Sequence, residues 1–127
     1  MDIKSTSTIT FGYSSKLKTL YKAGKFPGLK SFSGEDLTSP SLEHIQPRSK
    51  GGKNELGNYV LTNRKENMLR GDANIDYYIH ENPQGMNDYI DWFLNHEVEG
   101  FNCREYIMKV INTINRVSKD FLILFER

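Results

Sequence analysis

A single cysteine, Cys103, stands in 127 residues, so neither an internal disulfide nor a thiolate zinc site can be built within one chain. Long apolar runs are missing as well. The longest is Phe121 to Phe125, five residues, far below the ~20 that a membrane-spanning helix requires. The opening stretch MDIKSTSTIT lacks the apolar core of a secretion signal, which predicts a soluble chain that stays in the cytoplasm. No internal repeat or low-complexity tract is present. The apolar share is lean at 37%, yet seven Tyr, seven Phe and one Trp supply large buriable surfaces, so global disorder is not expected. The length suits one compact domain, residues 1–127, and is too short for two.

Lysine and arginine are absent from residues 71–99, which hold seven acidic residues. Residues 1–34 show the opposite bias, six Lys against Asp2. The net charge of +1 therefore hides a segregation, and a basic face can coexist with an acidic one. A polyanionic partner stays open, although charge runs alone are commonly just solvated faces.

Periodicity sets out the elements. Residues 14–24 place Leu17, Leu20 and Tyr21 at helical spacing between Ser14 or Ser15 as cap and Gly24 as stop. Phe26 to Thr38 reads as a loop with room for one short strand. Ser41 to Ile45 is extended, residues 47–57 form a Gly-rich loop, and Asn58 to Thr62 is a second strand. Asn63 caps a helix that carries Glu66 three residues on and stops at Gly71. A helix of about four turns starts at Asn82–Pro83, and Cys103 to Val117 carries a clear apolar stripe. The terminal FLILFER reads as a strand whose five apolar residues must be covered on both faces or lie at a sticky edge, which leaves a homodimer open. The expected class is α+β: a β-hairpin with a short helix (core motif 41–72), buttressed by further helices (73–120).

The chemistry concentrates between Leu42 and Asp72. Glu43 and His44 stand side by side at the end of the first strand, Asn58 follows 14 residues after the histidine, and Asn67 another nine on. Hydrolysis of a phosphodiester needs an activated water and charge neutralisation on the phosphate. An imidazole with an ordinary pKa of about 6.5 can take the water's proton at neutral pH. A hard divalent ion, Mg²⁺ or Mn²⁺, prefers oxygen ligands such as the Glu43 carboxylate and the Asn67 amide, with water and phosphate filling the remaining positions. Neighbours on a regular strand point to opposite faces, so Glu43 and His44 share a site only if the strand end is irregular. Taken singly, His44 is an ordinary strand histidine, and Asn58 and Asn67 are ordinary turn and cap residues. His80 and His96 lie outside the pattern and read as structural or exposed.

The run E-H-I-x-P-x-S-x-G-G, the Asn at +14, L-T-N-R and the second Asn nine residues later resemble the HNH endonucleases, the ββα-metal (His-Me finger) superfamily. The 14-plus-9 spacing is similar to that in the HNH domain of RNA-guided CRISPR nucleases. The resemblance covers about 31 of the 127 residues. It implies His44 as general base and Glu43 as a metal ligand where many members have Asp. It implies Asn58 as the residue that pins the loop and orients the histidine, Asn67 as second ligand of one divalent ion, and Arg70 as a cation facing phosphate. Two features depart from the commoner pattern: no C-x-x-C zinc knuckles flank the motif, and the last ligand is Asn rather than His. Beyond residue 72 the likeness is loose, to small stand-alone HNH proteins of bacteria and phages.

The implied activity is metal-dependent cleavage or nicking of DNA, duplex most readily. Arg48, Lys50, Lys53, Arg64, Lys65 and Arg70 would form the phosphate track. No recognition helix or finger is evident, so sequence specificity is weak or supplied by a partner. Two rivals stay open: a module that binds nucleic acid or protein without cleaving, and an assembly protein using acidic residues 71–99 as its interaction face.

Overall fold

Residues 16–71, 73 and 75–118 are described in a computed structural model of the chain. Its class is α+β, with two strands, β1 (Pro40–His44) and β2 (Tyr59–Asn63), pairing antiparallel in the register Pro40↔Asn63 through His44↔Tyr59. Helix α1 covers residues 16–22. After the hairpin come α2 (Arg64–Arg70), α3 (Asp76–Glu81), α4 (Pro83–Asn95) and α5 (Cys103–Val117). None of the described helices is long and apolar enough to cross a membrane.

A two-stranded hairpin is marginal alone in water, because half of each strand's backbone groups have no partner. Here β2 is buried along its whole length, and its outer edge is satisfied by side chains and loop rather than by a third strand. The Leu61 N–H donates to the Tyr89 hydroxyl (3.0 Å), and the Leu61 carbonyl accepts from the Phe32 N–H (2.9 Å). The Tyr106 hydroxyl donates to the Tyr59 carbonyl (2.6 Å), which leaves Tyr89 to donate to the Tyr106 oxygen (2.9 Å). Both phenols are fully buried, and desolvation pushes their pKa values above the ordinary range. The chain of bonds ties the hairpin to α4 and α5, and its direction is fixed by the two backbone groups at its ends.

The core around that edge is aromatic. Phe26 meets Phe93 at 5.2 Å, Phe32 meets Tyr89 at 5.3 Å, and Phe93 meets Tyr106 at 5.0 Å, all edge-on. Such pairs contribute about 0.5–1.5 kcal/mol each beyond their buried area. Leu17 of α1 and Ile107, Val110 and Ile114 of α5 complete the same buried cluster.

The expected helix at 14–24 is present from residue 16 to 22, and Gly24 ends it with φ +76°. Its Ser14 or Ser15 cap lies outside the described residues, as does the expected strand at FLILFER. Between Phe26 and Thr38 no strand forms among the described residues; Phe32 instead donates its backbone N–H to the Leu61 carbonyl. The stripe at 103–117 is α5 itself, and the Asn82–Pro83 start is α4, with Asn82 accepting from the Gly85 N–H. The six-residue α3 has no counterpart in the sequence reading.

Candidate active site

The loop between the strands is held tightly. Pro47 accepts from the N–H groups of Lys50 and Gly52, both at 2.9 Å, in a 3₁₀ turn over Arg48–Lys50. Gly51 closes that turn at φ +91°, and a Cβ on Gly52 would lie 1.8 Å from the Gln46 carbonyl oxygen, so both glycines are required by the backbone path. Asn58 clamps the loop from beneath. Its amide oxygen accepts from the Gln46 N–H (2.8 Å), and its amide nitrogen donates to the carbonyls of Gln46 (3.1 Å) and Lys53 (2.9 Å). Asn58 is buried, with three bonds to loop backbone, an arrangement that fixes the chain on the C-terminal side of His44.

His44 sits half-buried at the last position of β1. Its cross-strand neighbour is Tyr59, whose ring centroid lies 4.7 Å from the imidazole. The imidazole Nε2 is 2.8 Å from the Asn54 amide oxygen, which also accepts from the Tyr59 hydroxyl at 3.0 Å. Neither Asn54 nor Tyr59 was singled out by the sequence; the signal that exposes them is the His44↔Tyr59 register.

Glu43 goes the other way. The strand stays regular through His44, so the pleat sends the two neighbours to opposite faces, and the irregular end that would join them does not form. Glu43 points to the face covered by α2 and α3 and is buried. Its Oε1 lies 3.3 Å from Arg70 Nη1, and its Oε2 accepts from the Tyr78 hydroxyl at 2.9 Å. Burial pushes the Glu43 carboxyl above its ordinary value; Arg70 and the Tyr78 hydroxyl pull it part of the way back.

Asn67 shares that face, its amide nitrogen donating to Ser41 Oγ (3.1 Å) and the Leu42 carbonyl (3.2 Å). The structure therefore brings Glu43 and Asn67 to one side of the hairpin and leaves His44 on the other. Ready-made coordination of a divalent ion by Glu43 and Asn67 does not fit this arrangement. A guanidinium already neutralises the carboxylate, and a second cation there would have to displace it.

Arg70 requires a correction. Expected on the phosphate track, it is buried, with the guanidinium wholly enclosed. Nη1 donates to the His44 carbonyl (2.6 Å), Nη2 to the Ile45 carbonyl (2.8 Å) and Nε to the Ala73 carbonyl (2.8 Å). It staples the end of β1 to the end of α2, and no donor is presented to solvent. Arg48, Lys50, Lys53, Arg64 and Lys65 are all exposed. A cleft of about 310 Å³ lined by Gln46, Pro47, Lys50, Arg116 and Val117 adds Arg116 of α5 to the rim beside Lys50, a residue the sequence reading passed over.

The start of α2 follows the expected capping pattern. The Glu66 carboxylate accepts from the Asn63 N–H (3.1 Å) and Thr62 Oγ1 (3.0 Å), and also from the Ser33 hydroxyl. The Asn63 amide oxygen takes the N–H groups of Thr38 (2.8 Å) and Ser39 (3.0 Å), anchoring the segment that enters β1.

No family model, curated protein or solved structure matches the chain. The functional reading therefore rests on the residues and their arrangement.

Proposed function

We propose that the chain is a phosphodiesterase of the HNH type, with β1, β2 and α2 as its ββα-metal core and DNA, duplex most readily, as its substrate. The observation that carries the reading is the setting of His44. The imidazole is half-buried at a strand end, held by Asn54 and Tyr59, beside a loop clamped by Asn58 and bearing exposed Arg48, Lys50 and Lys53. An imidazole so placed can take a proton from water as the water oxygen attacks phosphorus and the bond to the departing sugar oxygen breaks. The exposed cations hold the flanking phosphates without regard to sequence. One such centre per chain gives one nick; cutting both strands calls for rebinding or a second copy.

The reading includes dependence on Mg²⁺ or Mn²⁺, which would neutralise charge on the phosphate beside His44; Asn67, on the other face of the hairpin, offers that ion no ready-made ligand. Glu43 supports that part least, because Arg70 and Tyr78 already engage both of its oxygens. The same observation favours a second reading, a module that binds nucleic acid without cutting it.

Incubation of the purified protein with supercoiled plasmid and Mg²⁺ or Mn²⁺, with and without EDTA, separates the two. Nicked circles that appear only with metal, and vanish in His44→Ala, are the expected result. Intact plasmid bound by the wild-type protein establishes the binding module instead.

A further inference from the structure

Building on the nuclease reading, we infer that Asn54 is a positioning residue that holds His44 in a single tautomer, protonated on Nε2, with Nδ1 the nitrogen left to accept the proton. An amide oxygen has no proton to give. The Asn54 oxygen already accepts from the Tyr59 hydroxyl at 3.0 Å, so its 2.8 Å bond to Nε2 requires the hydrogen to sit on the imidazole. Tyr59 enters twice: its hydroxyl orients the Asn54 amide, and its ring, tilted 50° to the imidazole at 4.7 Å, limits rotation about the His44 side chain. The backbone on both sides is also fixed. Arg70 holds the carbonyls of His44 and Ile45, and Asn58 holds Gln46. A free imidazole in water divides its neutral form between two tautomers; one locked form keeps a lone pair on one known nitrogen and aims it.

The test reads tautomer and turnover separately. Two-bond ¹⁵N–¹H spectra of the full chain, with His44 assigned by comparison with His44→Gln, distinguish a bare from a protonated ring nitrogen without any substrate. At a pH where the ring is neutral, the wild-type protein is expected to show Nε2 protonated and Nδ1 bare. Asn54→Leu, with far-UV circular dichroism matching wild type, is expected to show a mixture of the two forms and a kcat about tenfold to a hundredfold lower at unchanged KM. Tyr59→Phe keeps the ring and should fall between wild type and Asn54→Leu. Asn54→Asp keeps the acceptor, so the tautomer should persist.

A wild-type spectrum with Nε2 bare, or an Asn54→Leu protein with unchanged tautomer, overturns the inference. An Nε2–H tautomer that vanishes in Asn54→Leu, in a protein that cleaves no nucleic acid, upholds Asn54 as the holder of His44 and defeats the nuclease reading alone.

Discussion

Arg70→Met removes the guanidinium while keeping the alkyl stem, and the structure sets the size and the pH dependence of the damage. Four contacts go: three to the carbonyls of His44, Ile45 and Ala73 and one to Glu43, whose side chain is only 5% exposed. Breaking a buried pair by removing one partner costs about 3–5 kcal/mol, against a total stability of about 5–15 kcal/mol for an ordinary domain. For a chain of this length that corresponds to a fall in Tm of about 10–20 °C. The pH sign follows from Glu43. Its folded pKa stands above the ordinary value of 4.5, chiefly through burial, so its contribution to stability is fullest below that value and is lost as pH rises through the folded pKa. Without Arg70 the folded pKa rises further, and the ionised carboxylate keeps only uncharged donors, the Tyr78 hydroxyl and the His44 backbone N–H. The cost of Arg70→Met is therefore expected to be larger at pH 7.5 than at pH 5, read by urea unfolding followed by far-UV circular dichroism. The double variant Glu43→Gln, Arg70→Met should recover part of the loss at pH 7.5 and none at pH 5. An equal cost at both pH values, or one below about 1 kcal/mol, would refute the reasoning.

Other expectations are equally direct. Tyr106→Phe leaves the Tyr59 carbonyl and the Tyr89 hydroxyl each short of a partner in a dry site, so it should cost about 1–3 kcal/mol by chemical denaturation; no loss would mean water enters that edge. Glu43→Gln keeps both the shape and the acceptor for Tyr78, so cleavage should survive if Glu43 is structural and fall steeply, with a raised metal requirement, if it ligates. Lys50→Ala and Lys53→Ala should each weaken DNA binding and lower the slope of log affinity against log salt by about one, while Arg70→Met should leave that slope unchanged.

Much of the fold is written in short-range pattern. The α5 stripe and the Asn63–Glu66–Gly71 punctuation of α2 depend on spacing alone, and both elements form where that spacing puts them. Helix α3 was hidden because six residues are too few to show a helical period. In the site, Asn58 taken singly reads as a turn residue at the start of the second strand; its part as a loop clamp came only from the resemblance, and the structure gives it three bonds to loop backbone. Arg70 was not: an arginine after a motif asparagine looks the same in sequence whether it faces water or three carbonyls. The pleat rule carried a warning about Glu43 and His44, and the rule prevailed because Arg70 holds the strand regular to its end. Asn54 lay in a loop where composition distinguishes nothing, and only the register across the hairpin reveals its contact with His44.

That register depends on residues far away in the chain. The two carbonyls that Arg70 holds fix β1, but β2 is fixed from its other edge by Phe32, Tyr89 and Tyr106. Tyr59 is the meeting point. Its carbonyl accepts from Tyr106, its hydroxyl reaches Asn54, and its ring lies against His44. Displacing that carbonyl turns the peptide on which the Tyr59 side chain is mounted, and the imidazole's neighbours turn with it. Tyr106→Phe should therefore change more than stability. The His44 ring resonances should shift in a protein that remains folded, whereas Thr113→Ala, at a buried α5 position whose hydroxyl bonds the Lys109 carbonyl of its own helix, should leave them in place. Equal shifts in both variants would show that α5 supports the hairpin only by bulk packing, and that the tyrosine chain does not transmit position to the site.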